Sequence, residues 1–84
     1  MIKWTLEAWN DYLYWQSQDK KTIKRINLLI NDIIRNGNMD GIGKPEPLQY
    51  EYQGFFSRRI DEKNRLVYIN ERDGLVIISC RFHY

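Results

Sequence analysis

A chain of 84 residues with a formal charge of +2 makes one small domain. Such a chain buries only about 60–65% of its unfolded surface, so partner binding or dimerisation adds useful stability. One cysteine, Cys80, excludes an intrachain disulfide and fits a reducing compartment; with the one histidine, His83, it leaves too few zinc ligands. No apolar run approaches the ~18 residues of a membrane span and no signal-peptide pattern opens the chain, so a cytoplasmic protein working without metal or cofactor is expected.

Residues 2–5 suit a short first strand, and Thr5 suits the N-cap of a helix with Glu7 in its first turn. Leu6, Trp9 and Leu13 share one face of that helix, with Tyr12 beside it. Trp4, Trp9, Trp15, Tyr12 and Tyr14 read as core and groove packing, since aromatics dominate burial. Asp19 caps a second helix with apolar positions at Ile23, Ile26, Ile30, Ile33 and Ile34, ending near Asn36-Gly37. Its other face carries Lys20, Lys21, Lys24 and Arg25, a solvated face by default. Residues 37–47 are glycine- and proline-rich and predict a loop. Gly43-Lys44 is no phosphate-binding P-loop, because Pro45 stands where Ser or Thr is needed. Four strand-like runs follow, at 48–52, 55–60, 65–70 and 75–83. The order β-α-α-β-β-β-β predicts an α+β fold, a mainly antiparallel sheet with both helices on one face.

The charge distribution says more than its sum. The last three strand-like runs contain Arg58, Arg59, Arg65 and Arg81 and no acid, while Asp61, Glu62, Glu71 and Asp73 fall in the turns. A sheet so charged suits an anion. A three-residue turn at Arg72-Asp73-Gly74 sets Glu71 against Leu75, Val67 against Ser79 and Arg65 against Arg81. Val76, Ile78, Cys80 and Phe82 then form the core face, with Cys80 a small core residue rather than a nucleophile. His83 falls diagonally from Arg65, within roughly 7–8 Å between backbones.

Glu46 supplies a carboxylate between Pro45 and Pro47, which restrict the backbone on both sides. Together these residues fit RNA cleavage by attack of a ribose 2′-oxygen on its own phosphate. Glu46 serves as base, Arg65 and Arg81 as charge stabilisers and His83 as acid.

The run Trp9-Asn10-Asp11-Tyr12-Leu13-Tyr14-Trp15, then Gly43-Lys44-Pro45-Glu46-Pro47-Leu48, Gly54-Phe55-Phe56-Ser57-Arg58-Arg59-Ile60, Arg65-Leu66-Val67-Tyr68 and Cys80-Arg81-Phe82-His83-Tyr84, resembles the YoeB-type toxins of the RelE superfamily. The likeness covers residues 1–84 as a single RelE-like domain. It implies a ribosome-dependent, metal-independent endoribonuclease that cleaves mRNA in the decoding site, forms a homodimer, and is silenced by a partly disordered antitoxin of the Phd/YefM kind. It maps the family's base to Glu46, its phosphate-stabilising arginine to Arg65, its acid to His83 and its terminal tyrosine to Tyr84. Lys44, Arg81 and either Arg58 or Arg59 complete the expected RNA-binding set, since the turn at residues 61–64 permits either register. Gln49 stands where relatives often place a lysine. Two alternatives stay open: a non-catalytic toxin of this fold that binds a protein, as gyrase inhibitors do, and a plain RNA-binding module using Phe56 and Tyr68.

Overall fold

Two capping side chains decide where the helices begin in the computed structural model, which describes residues 1–82; His83 and Tyr84 lie outside the described residues. After strand β1 (Ile2–Trp4), Thr5 accepts the Ala8 N–H at 3.0 Å and donates its own hydroxyl to the Ile78 carbonyl at 2.7 Å. One hydroxyl thus starts helix α1 (Leu6–Gln18) and ties it to the sheet. Asp19 ends α1 with its backbone and starts α2 (Lys20–Asn36) with its carboxylate, which accepts from the Lys21 N–H and the Thr22 hydroxyl. Those bonds, the Thr22 one foremost, hold the Asp19 carboxyl below its ordinary range.

Helix α2 buries Thr22, Ile26, Leu29, Ile30 and Ile33. Leu29 takes the place predicted for Ile34, which is about half exposed. Each fully buried Leu or Ile contributes about 1.5–3 kcal/mol, so this stripe anchors the helix on the sheet. Helix α1 corrects its prediction more sharply. Its packed side is Ala8, Tyr12 and Trp15, whereas Leu6, Trp9 and Leu13 face outward. The Trp15 indole reaches the Cys80 carbonyl at 2.8 Å, a polar anchor that a hydrophobic count overlooks.

The rest of the chain is β2 (Glu46–Pro47), a 3₁₀ turn (Tyr50–Tyr52), β3 (Phe56–Arg59), β4 (Arg65–Glu71) and β5 (Gly74–Ser79). The predicted strand at 48–52 is therefore a turn, and the strand before β3 lies two residues earlier. The five strands run in the order β1-β5-β4-β3-β2, antiparallel except for β1 beside β5. This is the α+β, β-α-α-β-β-β-β arrangement expected.

The last hairpin reaches its predicted far end by another route. Glu71 pairs with Gly74, so the turn holds two residues, not three. The pairing then runs through Ile69–Val76 and Tyr68–Ile77 before jumping to Val67–Ser79. Ile78 is the extra residue, a β-bulge. Because side-chain direction alternates, one extra residue exchanges the faces. Leu75 and Ile77 enter the core before the bulge and Cys80 after it, while Val76 and Ile78 are only half-buried and Phe82 is exposed.

Candidate active site

Glu46 lies opposite Ser57, Ser57 opposite Val67, and Val67 opposite Ser79. Direct cross-strand neighbours share a face. Phe56, Leu66, Tyr68 and Ile77 point to the helices, so this row crosses four strands on the opposite face. One step along, Arg59 pairs with Arg65 on that same face. Two guanidinium groups opposite each other repel, and an anion between them relieves the repulsion.

Arg65 reaches along the face toward Glu46. Its Nε–H donates to the Ser57 hydroxyl at 2.9 Å, its Nη2 lies 3.8 Å from Glu46 Oε2, and the same nitrogen touches the Lys44 carbonyl at 3.5 Å. The Arg65 side chain is only 14% exposed, that of Glu46 61%. An ion pair with one partner so open contributes about 0–1 kcal/mol. Its interest is chemical: a fixed cation next to an accessible carboxylate.

Arg58 orders the loop that precedes Glu46, and here the structure corrects the expectation. Arg58 is fully buried on the helix side and does not reach the opposite sheet face, where RNA contact was expected of it. Its guanidinium forms an ion pair with Asp32 and donates to the Tyr68 hydroxyl at 2.9 Å and to the carbonyls of Gly37, Asp40 and Ile42 at 2.7, 2.7 and 3.0 Å. Asp32 in turn accepts the Ile42 N–H at 3.0 Å, which, ahead of Arg58 itself, holds its carboxyl below the usual range despite burial. The glycine-rich loop is therefore wound around one arginine. Gly41 has φ +122°, and a Cβ there would overlap the Asp32 carboxylate, which leaves no room for a side chain. Next, the Gly43 carbonyl accepts the Arg59 N–H at 2.7 Å, delivering Lys44 and Glu46 to the sheet edge. Arg59, not Arg58, is the exposed member of the pair, and Lys44 is exposed beside it.

Arg81 is a second correction. Its guanidinium stacks 3.5 Å from the Tyr14 ring centroid and 4.6 Å from that of Phe82, so it belongs to the α1 side rather than facing Arg65. Opposite Arg65 is Phe82 instead, whose carbonyl accepts the Arg65 N–H at 2.8 Å. The Phe82 N–H goes to Asn64 Oδ1 at 2.7 Å. Asn64 is aimed by Asp61, whose Oδ1 accepts from the Lys63 and Asn64 amides at 2.8 and 2.7 Å and from Asn64 Nδ2 at 3.1 Å. Burial works to raise the Asp61 carboxyl, but these donors outweigh it and the net shift is downward. Phe82 is held at φ +64°, unusual for an aromatic residue. Phe82 is thereby pinned beside Arg65. His83 and Tyr84 themselves lie outside the described residues.

Burial raises the Cys80 thiol to about 12, with Asp11 adding to the effect, so Cys80 is a packed residue and no thiolate nucleophile. Sequence reasoning missed Ser57, Asp32, Asn64 and Tyr14. Only Asp32 carried a signal, as an acid beside the buried stripe of α2; the others depend on register. Among the described residues, no three His, Cys, Asp or Glu side chains cluster as metal ligands.

A small α+β domain with a cationic sheet face and a carboxylate at its edge defines the class. The matches to known proteins then supply the family. A family model described as the YoeB-like toxin of bacterial type II toxin–antitoxin systems matches residues 4–84. Toxin YoeB of Synechocystis sp. is 58% identical over 84 residues, 99% of this chain and 95% of that protein. The YoeB–YefM complex from Staphylococcus aureus contains a chain 44% identical, with TM-score 0.94, covering 100% of this chain and 97% of that one. The YoeB dimer from the same organism is 46% identical with TM-score 0.94, covering 99% and 95%. The chain belongs to the YoeB-like toxin family of bacterial type II toxin–antitoxin systems.

Proposed function

We propose that this toxin is a ribosome-dependent endoribonuclease that cleaves mRNA through 2′-oxygen attack and so arrests translation in the cytoplasm. The observation that carries the reading is the Glu46–Arg65 pair, 3.8 Å apart on a face whose next cross-strand pair is Arg59–Arg65. Glu46 takes the proton of the ribose 2′-hydroxyl. The oxygen attacks the adjacent phosphorus, and the pentavalent phosphorane gathers charge that Arg65 meets with a guanidinium held by Ser57. The 5′-oxygen leaves with a proton supplied by His83, and Tyr84 completes the catalytic set. Arg59 and Lys44 hold flanking phosphates. Arg58 and Arg81 contribute by shaping the loop and the C-terminal run, not by touching RNA.

Two kinds of protein partner fit the same reading. The Staphylococcus relatives form a YoeB–YefM complex and a YoeB dimer. Here α1 presents Leu6, Trp9 and Leu13 outward, beside a Trp4–Trp9–Tyr12 ring cluster with centroids 4.9–6.0 Å apart. Such a patch suits a second copy or an antitoxin segment that is disordered alone and folds on binding. The described helices include none long and apolar enough to cross a membrane.

The experiment is single-turnover cleavage of mRNA on purified ribosomes by Glu46→Ala, Arg65→Ala and His83→Ala. Each is expected to slow cleavage by at least ~10²-fold, with thermal unfolding and ribosome binding retained. Near-native cleavage by any of them removes that residue from its role.

A further inference from the structure

Glu46 borders an open groove of about 630 Å³ lined by Glu46, Pro47, Leu48, Gln49, Tyr50, Glu51 and Tyr52. Its size is that of a small-ligand site, roughly 300–1,000 Å³. The groove is ordered by its own backbone: Leu48 N–H donates to the Phe55 carbonyl at 2.9 Å, and Tyr52 and Gln53 close the turn onto Gln49 and Tyr50 at 3.2 and 3.0 Å. At the tip, Tyr50 is 89% exposed and sits at φ +59°. A non-glycine residue in that region is strained, and such strain clusters where a side chain is held for use. Nothing in the core needs this ring, since among the described residues it is the most exposed of the large apolar side chains.

The lining also says what the groove takes. It carries two carboxylates and no lysine or arginine, so a phosphate is disfavoured. Aromatic and apolar surface from Tyr50, Pro47 and Leu48 lies beside the Gln49 amide, which offers both a donor and an acceptor. That combination suits a flat, uncharged, hydrogen-bonding ring. Resting on the reading of Glu46 as the base, we infer that this groove is a nucleobase subsite: Tyr50 stacks on the base of the nucleotide whose 2′-oxygen attacks. The base hangs from C1′, the carbon next to the one bearing that hydroxyl, so a ribose at Glu46 places its base in the adjoining groove. Gln49 lies where it can read the base edge and bias which bases are cut.

The test combines a protein change with a substrate change. Ribosomes are programmed with mRNA carrying either a normal or an abasic ribonucleotide immediately upstream of the cut, and single-turnover rates are measured for wild type, Tyr50→Ala and Tyr50→Trp. On normal mRNA, Tyr50→Ala is expected to lose roughly tenfold or more, the range of base–aromatic stacking, while Tyr50→Trp keeps at least half the rate. On abasic mRNA, wild type and Tyr50→Ala converge. Tyr50→Ala cutting normal mRNA within twofold of wild type, or losing as much on abasic as on normal mRNA, overturns the subsite. A second arm needs no cleavage. The Tyr50 ring protons, followed by NMR, should move upfield as the free toxin is titrated with a short RNA blocked by 2′-deoxy at the cut nucleotide. No shift up to millimolar RNA overturns the inference. If wild type cuts neither mRNA, the reaction reading fails, and the NMR arm alone decides the subsite.

Discussion

Arg58 separates two accounts of this sheet, because an RNA contact and a buried scaffold fail differently when the arginine is removed. Replacing it with leucine takes away the ion pair with Asp32 and the bonds to Tyr68 and to the Gly37, Asp40 and Ile42 carbonyls. The site is fully buried, so water does not replace those partners without opening the loop. Breaking a buried pair from one side costs about 3–5 kcal/mol. A domain of this length holds roughly 4–12 kcal/mol in total. The variant should therefore lose a quarter or more of its stability, and Tm should fall by about 12 °C at the least. Arg59→Leu, on the exposed face, should stay within ~0.5 kcal/mol of wild type. Urea unfolding followed by circular dichroism measures both. An Arg58→Leu protein with wild-type stability but weakened RNA binding would refute the scaffold account and return Arg58 to the RNA surface.

Asn64→Leu keeps side-chain volume but removes the acceptor for the Phe82 N–H; cleavage should fall about tenfold or more while ribosome binding holds, and faster exchange of the Phe82 amide should accompany it. Unchanged cleavage would show that pinning residue 82 does not matter. Because the Asp32 carboxyl is lowered in the folded state, its contribution to stability is present above the ordinary carboxylate range and lost as pH falls through the lowered value. The urea midpoint of wild type should accordingly fall more steeply below about pH 4 than that of Asp32→Asn; parallel profiles would contradict the assignment. Cys80 should resist alkylation in the native protein at pH 8 and react on unfolding, since burial suppresses its thiolate; rapid native labelling would contradict the packing described.

The helices were legible because caps and apolar spacing are local. Thr5 and Asp19 start them as read. Which face of α1 packs was not legible, because the strongest hydrophobes, Leu6, Trp9 and Leu13, lie outward and the anchoring contacts are Ala8 and a Trp15 hydrogen bond. The hairpin shows a compensating pair of errors. A two-residue turn plus the Ile78 bulge gives the same Val67–Ser79 pairing as a three-residue turn, so that one far pairing was right, while Arg65 meets Phe82 rather than Arg81 and the core face before the bulge was misread. Glu46 and Arg65 were readable from residue type and do meet. The fates of Arg58 and Arg81 were not, since a strand arginine can face either way and only tertiary partners, Asp32 for one and Tyr14 for the other, decide it.

The chemical identity of the cut ends tests the central claim most directly. Purified toxin is added to ribosomes carrying a short mRNA, and both fragments are mapped with and without a 2′-deoxy substitution at the cut nucleotide, in magnesium held constant for ribosome integrity. Attack by the 2′-oxygen predicts an upstream fragment ending in a 2′,3′-cyclic or 3′-phosphate, a downstream fragment beginning with a 5′-hydroxyl, and no cleavage of the deoxy-substituted message. A 5′-phosphate on the downstream fragment, or undiminished cleavage at the deoxy position, would contradict it.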